Sequence, residues 1–325
     1  MTAVASRMSA PSPTRANVYR ILGIIGIAIL VFVAFLEIMP FVLTIANSFK
    51  CDPAVTLRPG AFIPVPPFGV QCEVRDASGQ VVSRLTADEQ AQGFTFNPSF
   101  NGYETILRVN ETNKLPRWLL NTAVYATSVM LLRLIFDSMA GYALARLSFP
   151  GNRIVFYLVL GTLMIPGVVL LIPRFLMLNQ MNLLNTYQGY ILVLAADAFG
   201  IMLMKQFFES LPKEIEEAAQ VDGANRFTTF FRIVLPMATP ALTALAIFSF
   251  QGQWNNFMDA LIIVGTDPNM FNLPMGLTAL QGTGQDIQYD LVLAGSVITT
   301  LPMAVIFFLF QRYFVEGVNY SGLKG

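Results

Sequence analysis

The sequence predicts an all-α integral membrane protein of six transmembrane helices, with a long extracytoplasmic loop after the first. Three observations carry that expectation: six apolar stretches of spanning length, too few charges to wet a globule, and basic residues that cluster in alternate connections. Hydrophobic residues make up 54% of the chain and charged residues 12%, with mean hydropathy +0.58. An ordinary soluble domain is about a quarter charged.

The stretches lie at 18–47, 118–144, 154–175, 187–208, 237–264 and 290–313. Each is near the roughly 20 apolar residues that cross the hydrocarbon layer, where a helix satisfies its own backbone. A polar lead, 1–17, carries Arg7 and Arg15, with Arg20 just beyond. The apolar run Ile21–Ala46 that follows exceeds the roughly 7–15 residues of a cleaved signal, so a retained helix is expected. Lys and Arg resist translocation, and they mark the lead, the turn with Arg146 and Arg153, the stretch with Lys205, Lys213, Arg226 and Arg232, and the tail with Arg312 and Lys324. Residues 176–188 and 265–289 hold no Lys or Arg, although Arg174 sits at the margin of the first. Both termini are then cytoplasmic. The plan is a cytoplasmic lead 1–17, helix 18–47, an extracytoplasmic loop 48–117, a five-helix core 118–313 and a cytoplasmic tail 314–325.

Within the long loop, alternation at Gln71–Val74 and a turn at Ala77-Ser78-Gly79 before Val81-Val82 suggest a small β-hairpin. Cys51 and Cys72 also fall there, where an oxidising exterior permits a disulfide; two unpaired thiols are the alternative.

Several function classes are excluded. Net charge is zero with no long basic run, so no phosphate-tracking nucleic-acid face is expected. There is no histidine, which removes the commonest general base and metal ligand, and the two cysteines lack metal-type spacing. None of Lys50, Lys114, Lys205, Lys213 or Lys324 follows a glycine, so no phosphate loop is present. Neither catalysis, metal nor a bound cofactor is expected of this chain.

One connection stands apart. Residues 211–226 predict a short cytoplasmic helix: Pro212 suits its first turn, Glu214, Glu216 and Glu217 complement the positive end of its dipole, and Gly223 permits the turn that ends it. Ile215, Ala218 and Ala219 are expected on one face, where alanines let another surface approach closely, with Lys213 and Glu217 four apart elsewhere. An ordinary amphipathic loop is the simpler alternative. The spacing Glu217-Ala218-Ala219, three residues, Gly223, nine residues, Ile233-x-Leu235-Pro236 nevertheless resembles the EAA signature of the inner-membrane permeases of binding-protein-dependent ABC importers, and Asp222 and Ala224 match it too.

The resemblance extends to Leu144–Gly151, Lys205-Gln-Phe-Phe, Gln253-Trp-Asn-Asn-Phe257, Phe310–Gly317 and the closing Gly-Leu-Lys-Gly, and it is closest to the maltose-transporter type of sugar permease. Residues 51–93 look like an insert before Phe96–Phe100 and Trp118-Leu-Leu-Asn121 rejoin the pattern. It implies a type I ABC importer permease fold and a bacterial or archaeal cell membrane location. It also implies a second permease subunit, two ATPase subunits that bind ATP and magnesium, and an extracytoplasmic binding protein that delivers a di- or oligosaccharide. The helix bearing Glu217, Ala218, Ala219, Asp222, Gly223 and Ala224 would dock in an ATPase cleft. The last four residues would also reach the ATPases, and the 265–289 loop would enter the binding protein's cleft.

Polar groups at membrane depth are costly, and each is a functional candidate. Gln251, Asn255 and Asp259 are four apart and are expected on one helix face beside Trp254 and Asn256, suited to sugar hydroxyls or to bonds with neighbouring helices. Asp197 points to a cavity or a cross-helix bond, while Arg133 and Asp137, four apart, read as a pair. Glycerol-3-phosphate or another small polar solute is an alternative cargo. An ion-coupled secondary transporter using Asp197 and Asp259 is the alternative of a different class, and it leaves 211–236 unexplained.

Overall fold

The computed structural model describes residues 13–49, 73–75, 81–84, 100–108, 114–281 and 289–322. The chain divides into two units, Met1–Ser99 and Phe100–Gly325.

In the first unit, α1 (Pro13–Ser48) contains the apolar segment Arg20–Ser48, most of whose side chains stay unburied as lipid-facing residues do, while Ala46 and Ser48 near its end are buried. Strands β1 (Glu73–Arg75) and β2 (Val81–Arg84) pair antiparallel, with Glu73 opposite Arg84, where the sequence suggested a hairpin. The expected turn, Cys51 and Cys72 lie outside the described residues, as does most of the 51–93 insert.

The second unit runs α2 (Asn101–Leu107), α3 (Leu115–Arg146), α4 (Asn152–Leu163), a 3-10 turn (Gly167–Leu170) leading into α5 (Leu171–Gln180), α6 (Tyr187–Val193) and α7 (Ala198–Ser210). It continues through α8 (Glu214–Val221), α9 (Arg226–Met237), α10 (Thr239–Trp254), α11 (Met258–Ile263), α12 (Leu273–Leu280) and α13 (Tyr289–Gly322). Its spine is α3, 32 residues without a break, which at 1.5 Å per residue is about 48 Å long. Three apolar clusters are strung along that spine. Leu115 and Trp118 pack with Trp254, Phe271 and Leu291 near its start; Tyr125 and Val129 pack with Leu178, Tyr190 and Ile263; and Tyr142 packs with Met204, Phe208, Phe230 and Leu245 near its end.

Among the described residues, three helices are long and apolar enough to cross a membrane: Arg20–Ser48, Leu115–Arg146 and Leu291–Gln311. Counting each of three bent pairs as one crossing brings the total to six. The bends correct three spans expected to be straight. The 154–175 span is α4 followed by a 99° turn into Gly167–Gln180, because Pro166 has no N–H and disfavours a helical residue before it. The 237–264 span bends by 79° between α9 and α10 at the start of which Pro240 stands, and it breaks again at Asn255–Phe257. The 187–208 span bends by 45° between α6 and α7 with no proline to cause it.

That last break is held from outside. Arg133 on α3 donates from Nε to the Leu194 carbonyl at 2.9 Å, and the Asp137 carboxylate accepts the Asp197 N–H at 3.0 Å. The carbonyl freed at the end of α6 and the amide freed near the start of α7 are thus both satisfied by α3, as membrane depth requires. Arg133 also reaches Asp197 Oδ2 at 3.8 Å, so its ion pair is with Asp197 across helices and not with Asp137 as expected. Gly200 completes the fit, since a Cβ there would lie 2.1 Å from Asp137 Oδ2.

Candidate functional site

The 211–226 stretch contains a helix shorter than expected. Pro212 precedes it, Glu214, Glu216 and Glu217 occupy the first turn of α8, and Asp222 caps its end. Gly223 takes φ +86°, while its N–H reaches the Gln220 carbonyl at 3.0 Å and the Ala224 N–H reaches that of Ala219 at 2.9 Å. This is the paired closure of a Schellman stop, so Asp222, Gly223 and Ala224 act locally as a helix terminator. Asn225 then starts α9, its side chain accepting the Thr228 N–H at 2.8 Å.

The faces of α8 also differ from the expected ones. Ala219 and Glu216 are buried against the chain's own bundle, whereas Glu217, Ala218 and Gln220 face outward. Ile215, Ala218 and Ala219 therefore do not form one docking face. Apolar Val221 (88% exposed) and Phe227 (71% exposed) extend the outward surface. Glu216 makes an ion pair with Arg146 at the end of α3, Oε1 to Nε 3.0 Å, with both side chains under a tenth exposed. Tyr142 Oη donates to Glu216 Oε2 at 2.8 Å, and Arg146 Nη2 donates to the Leu211 carbonyl at 2.5 Å. Tyr142 is itself set by Phe208 and Phe230 at ring distances of 5.7 and 4.8 Å.

A second polar group lies within stretches expected to span the membrane. Because α10 ends at Trp254 and α11 starts at Met258, Asp259 does not continue the face of Gln251 and Asn255. Gln251 and Asn255 are exposed, with Asn255 Nδ2 donating to the Gln251 carbonyl at 3.1 Å. Asp259 turns inward: its Oδ1 accepts from Arg174 Nη1 at 2.6 Å and its Oδ2 from Asn256 Nδ2 at 2.9 Å. Asn256 also donates to Gln253 Oε1 at 3.2 Å, which Tyr190 Oη approaches at 3.4 Å. Trp254 is buried, stacked on Phe250 and donating to the Thr299 carbonyl at 3.2 Å, so its ring is not presented as a platform.

Comparison with known proteins gives this bundle a family. The family model described as "Binding-protein-dependent transport system inner membrane component" matches residues 112–320, more than half of the chain. The chain belongs to that family. It is 39% identical over 208 residues to the arabinooligosaccharides transport system permease protein AraQ of Halalkalibacterium halodurans, covering 64% of this chain and 74% of that one. It is 33% identical over 232 residues to the trehalose/maltose transport system permease protein MalG of Thermococcus litoralis, covering 71% and 83%. Among solved structures, a bacterial ABC transporter involved in import of the acidic polysaccharide alginate shares its fold, with TM-score 0.72, 23% identity, and coverage of 94% of this chain and 100% of the other.

In this transport-system inner membrane component, the opposite end of α3 carries an assembly the sequence did not reveal. Trp118 Nε1 donates to the Pro268 carbonyl at 2.8 Å, Asn121 Nδ2 to the carbonyls of Asn269 and Phe271 at 2.8 Å each, and Tyr125 Oη to that of Met270 at 3.0 Å. Thr122 Oγ1 accepts the Leu273 N–H at 2.8 Å, and Lys114 Nζ reaches Asn269 Oδ1 at 2.8 Å. Residues 267–273, part of the 265–289 stretch expected to enter the binding protein's cleft, are thus tied to α3. Helix α12 follows them down so closely that a Cβ on Gly276 would lie 2.1 Å from the Trp118 ring. Glu216, Arg146, Tyr142 and Arg174 were missed as site residues because their partners are remote in sequence. The one available signal was a third glutamate, Glu216, in a first turn that Glu214 and Glu217 already supply with negative charge.

Proposed function

We propose that this chain is one of two membrane-spanning subunits of an ATP-driven ABC importer, moving a carbohydrate of di- or oligosaccharide size handed over by an extracytoplasmic binding protein. Its termini are cytoplasmic, the membrane is a bacterial or archaeal cell membrane, and two separate ATPase subunits bind ATP and magnesium. The observation that carries this reading is α8: a short helix clamped to its own bundle through Glu216 while Glu217, Ala218 and Val221 face outward for a partner. Relatives named for arabinooligosaccharides, diacetylchitobiose and trehalose/maltose support a carbohydrate cargo; others are named for sn-glycerol-3-phosphate. Exposed Gln251 and Asn255 are the path residues with side chains open to a solute. Asp197 and Asp259, the two carboxylates that the ion-coupled alternative would use, each face an arginine.

Purification of the tagged chain in mild detergent is expected to recover an ATPase and a second permease. Recovery of the chain without either overturns the proposal. In the assembled transporter, Gly223→Val and Glu217→Lys are each expected to abolish uptake while the chain remains inserted. Uptake by both variants at the wild-type rate counts equally against it.

A further inference from the structure

The docking helix is joined to the bundle by two short connections, Leu211–Lys213 before it and Asp222–Asn225 after it. Neither forces α8 and α3 to move together. The lateral tie is the cluster at the end of α3: Arg146 grips Glu216 through Nε and the Leu211 carbonyl through Nη2, and Tyr142 holds the second Glu216 oxygen. Both charges are buried, so separating them strands an unpaired ion. At the other end of the same unbroken helix, Trp118, Asn121, Thr122 and Tyr125 hold the backbone of 268–273.

We infer that Glu216, one residue before the EAA triplet, is the positioning residue that makes α3 follow the docking helix, and that α3 transmits this motion to the 267–273 segment on the opposite face. The inference rests on the function proposed above. A helix satisfies its backbone internally and transmits a tilt along its length, whereas the two short connections dissipate one. Glu217 and its outward neighbours then meet the partner, while Glu216 faces the bundle and ties the partner's motion to it. Linkage is reciprocal: what the ATPase does to the outer segment through α3, a binding protein seated on that segment does to the ATPase.

The test uses the purified, assembled transporter in lipid, with ATP hydrolysis measured with and without substrate-loaded binding protein, alongside uptake. In Glu216→Gln, assembly and basal hydrolysis are expected to persist, while stimulation by the binding protein and uptake each fall by about five-fold or more, the lower end of ordinary coupling factors. Arg146→Lys keeps the charge but cannot reach both partners, and an intermediate loss is expected. Tyr142→Phe, removing one hydrogen bond, is expected to lose least. Assembled Glu216→Gln that stays fully stimulated overturns the inference. If Glu216→Gln fails to assemble, Arg146→Lys decides, and normal stimulation there overturns it. A wild-type complex that shows no stimulation at all refutes the importer reading itself, which separates the two failures.

Discussion

Asp259 shows how a side chain's role changes once its neighbours are known. Four residues from Asn255, it belongs by spacing to a solute-facing stripe. In the structure it is 14% exposed and tied to Arg174, 26% exposed, at 2.6 Å. Removing one member of such a pair leaves the other charge poorly solvated, so Asp259→Ala is expected to cost about 3 kcal/mol. Replacing both, as in Arg174→Met with Asp259→Leu, removes the stranded ion and is expected to recover most of that loss. Thermal unfolding in detergent measures both; a double variant as unstable as the sum of the singles shows that the pair is not coupled. Asn255 is the contrasting case. Its side chain is exposed and bonds only locally, so Asn255→Ala is expected to leave stability within about 0.5 kcal/mol while changing uptake.

At the scale of elements, the breaks in the spanning segments have two kinds of cause. Where Pro166 or Pro240 stands, the chain itself lacks a donor and must turn. The α6–α7 break instead depends on α3, which supplies a donor from Arg133 and an acceptor from Asp137 to the freed backbone. Arg133→Met leaves the Leu194 carbonyl without that donor at membrane depth, an expected loss of about 1–3 kcal/mol. The same detergent unfolding experiment reads it, and an unchanged midpoint shows that another group takes over the carbonyl. The Schellman stop at Gly223 is an element-scale device too: its φ of +86° suits glycine, and a β-branched residue there strains the backbone by about 1–3 kcal/mol.

Across the whole molecule, α3 ties a buried ion pair at one end to a fastened segment at the other. We propose, from the basic connections, that the Arg146 end lies in the cytoplasm. That orientation is directly testable in a chain with Cys51 and Cys72 replaced by serine. A cysteine at Thr266 is expected to react with a membrane-impermeant maleimide on intact cells, and one at Asp222 only after permeabilisation. The reverse pattern overturns the assignment.

Membrane residence, the apolar spans and the helix with its glycine stop were legible because each depends on local composition or on spacing within one segment. Pro166 likewise marked a turn in plain sight, although a window of apolar residues reads straight across it. The inner face of α8, the Arg133–Asp197 and Arg174–Asp259 pairs, and the fastening of 267–273 were not legible. Each joins residues separated by dozens of positions, and no periodicity says which distant partner a buried charge will meet. The amino-acid sequence by itself determined that the chain lives in a membrane and carries a short polar helix between two apolar spans, because hydropathy and backbone stereochemistry are local. The tertiary structure alone decided that Glu216 faces the bundle and Glu217 faces outward, because that choice rests on where the end of α3 places Arg146 and Tyr142.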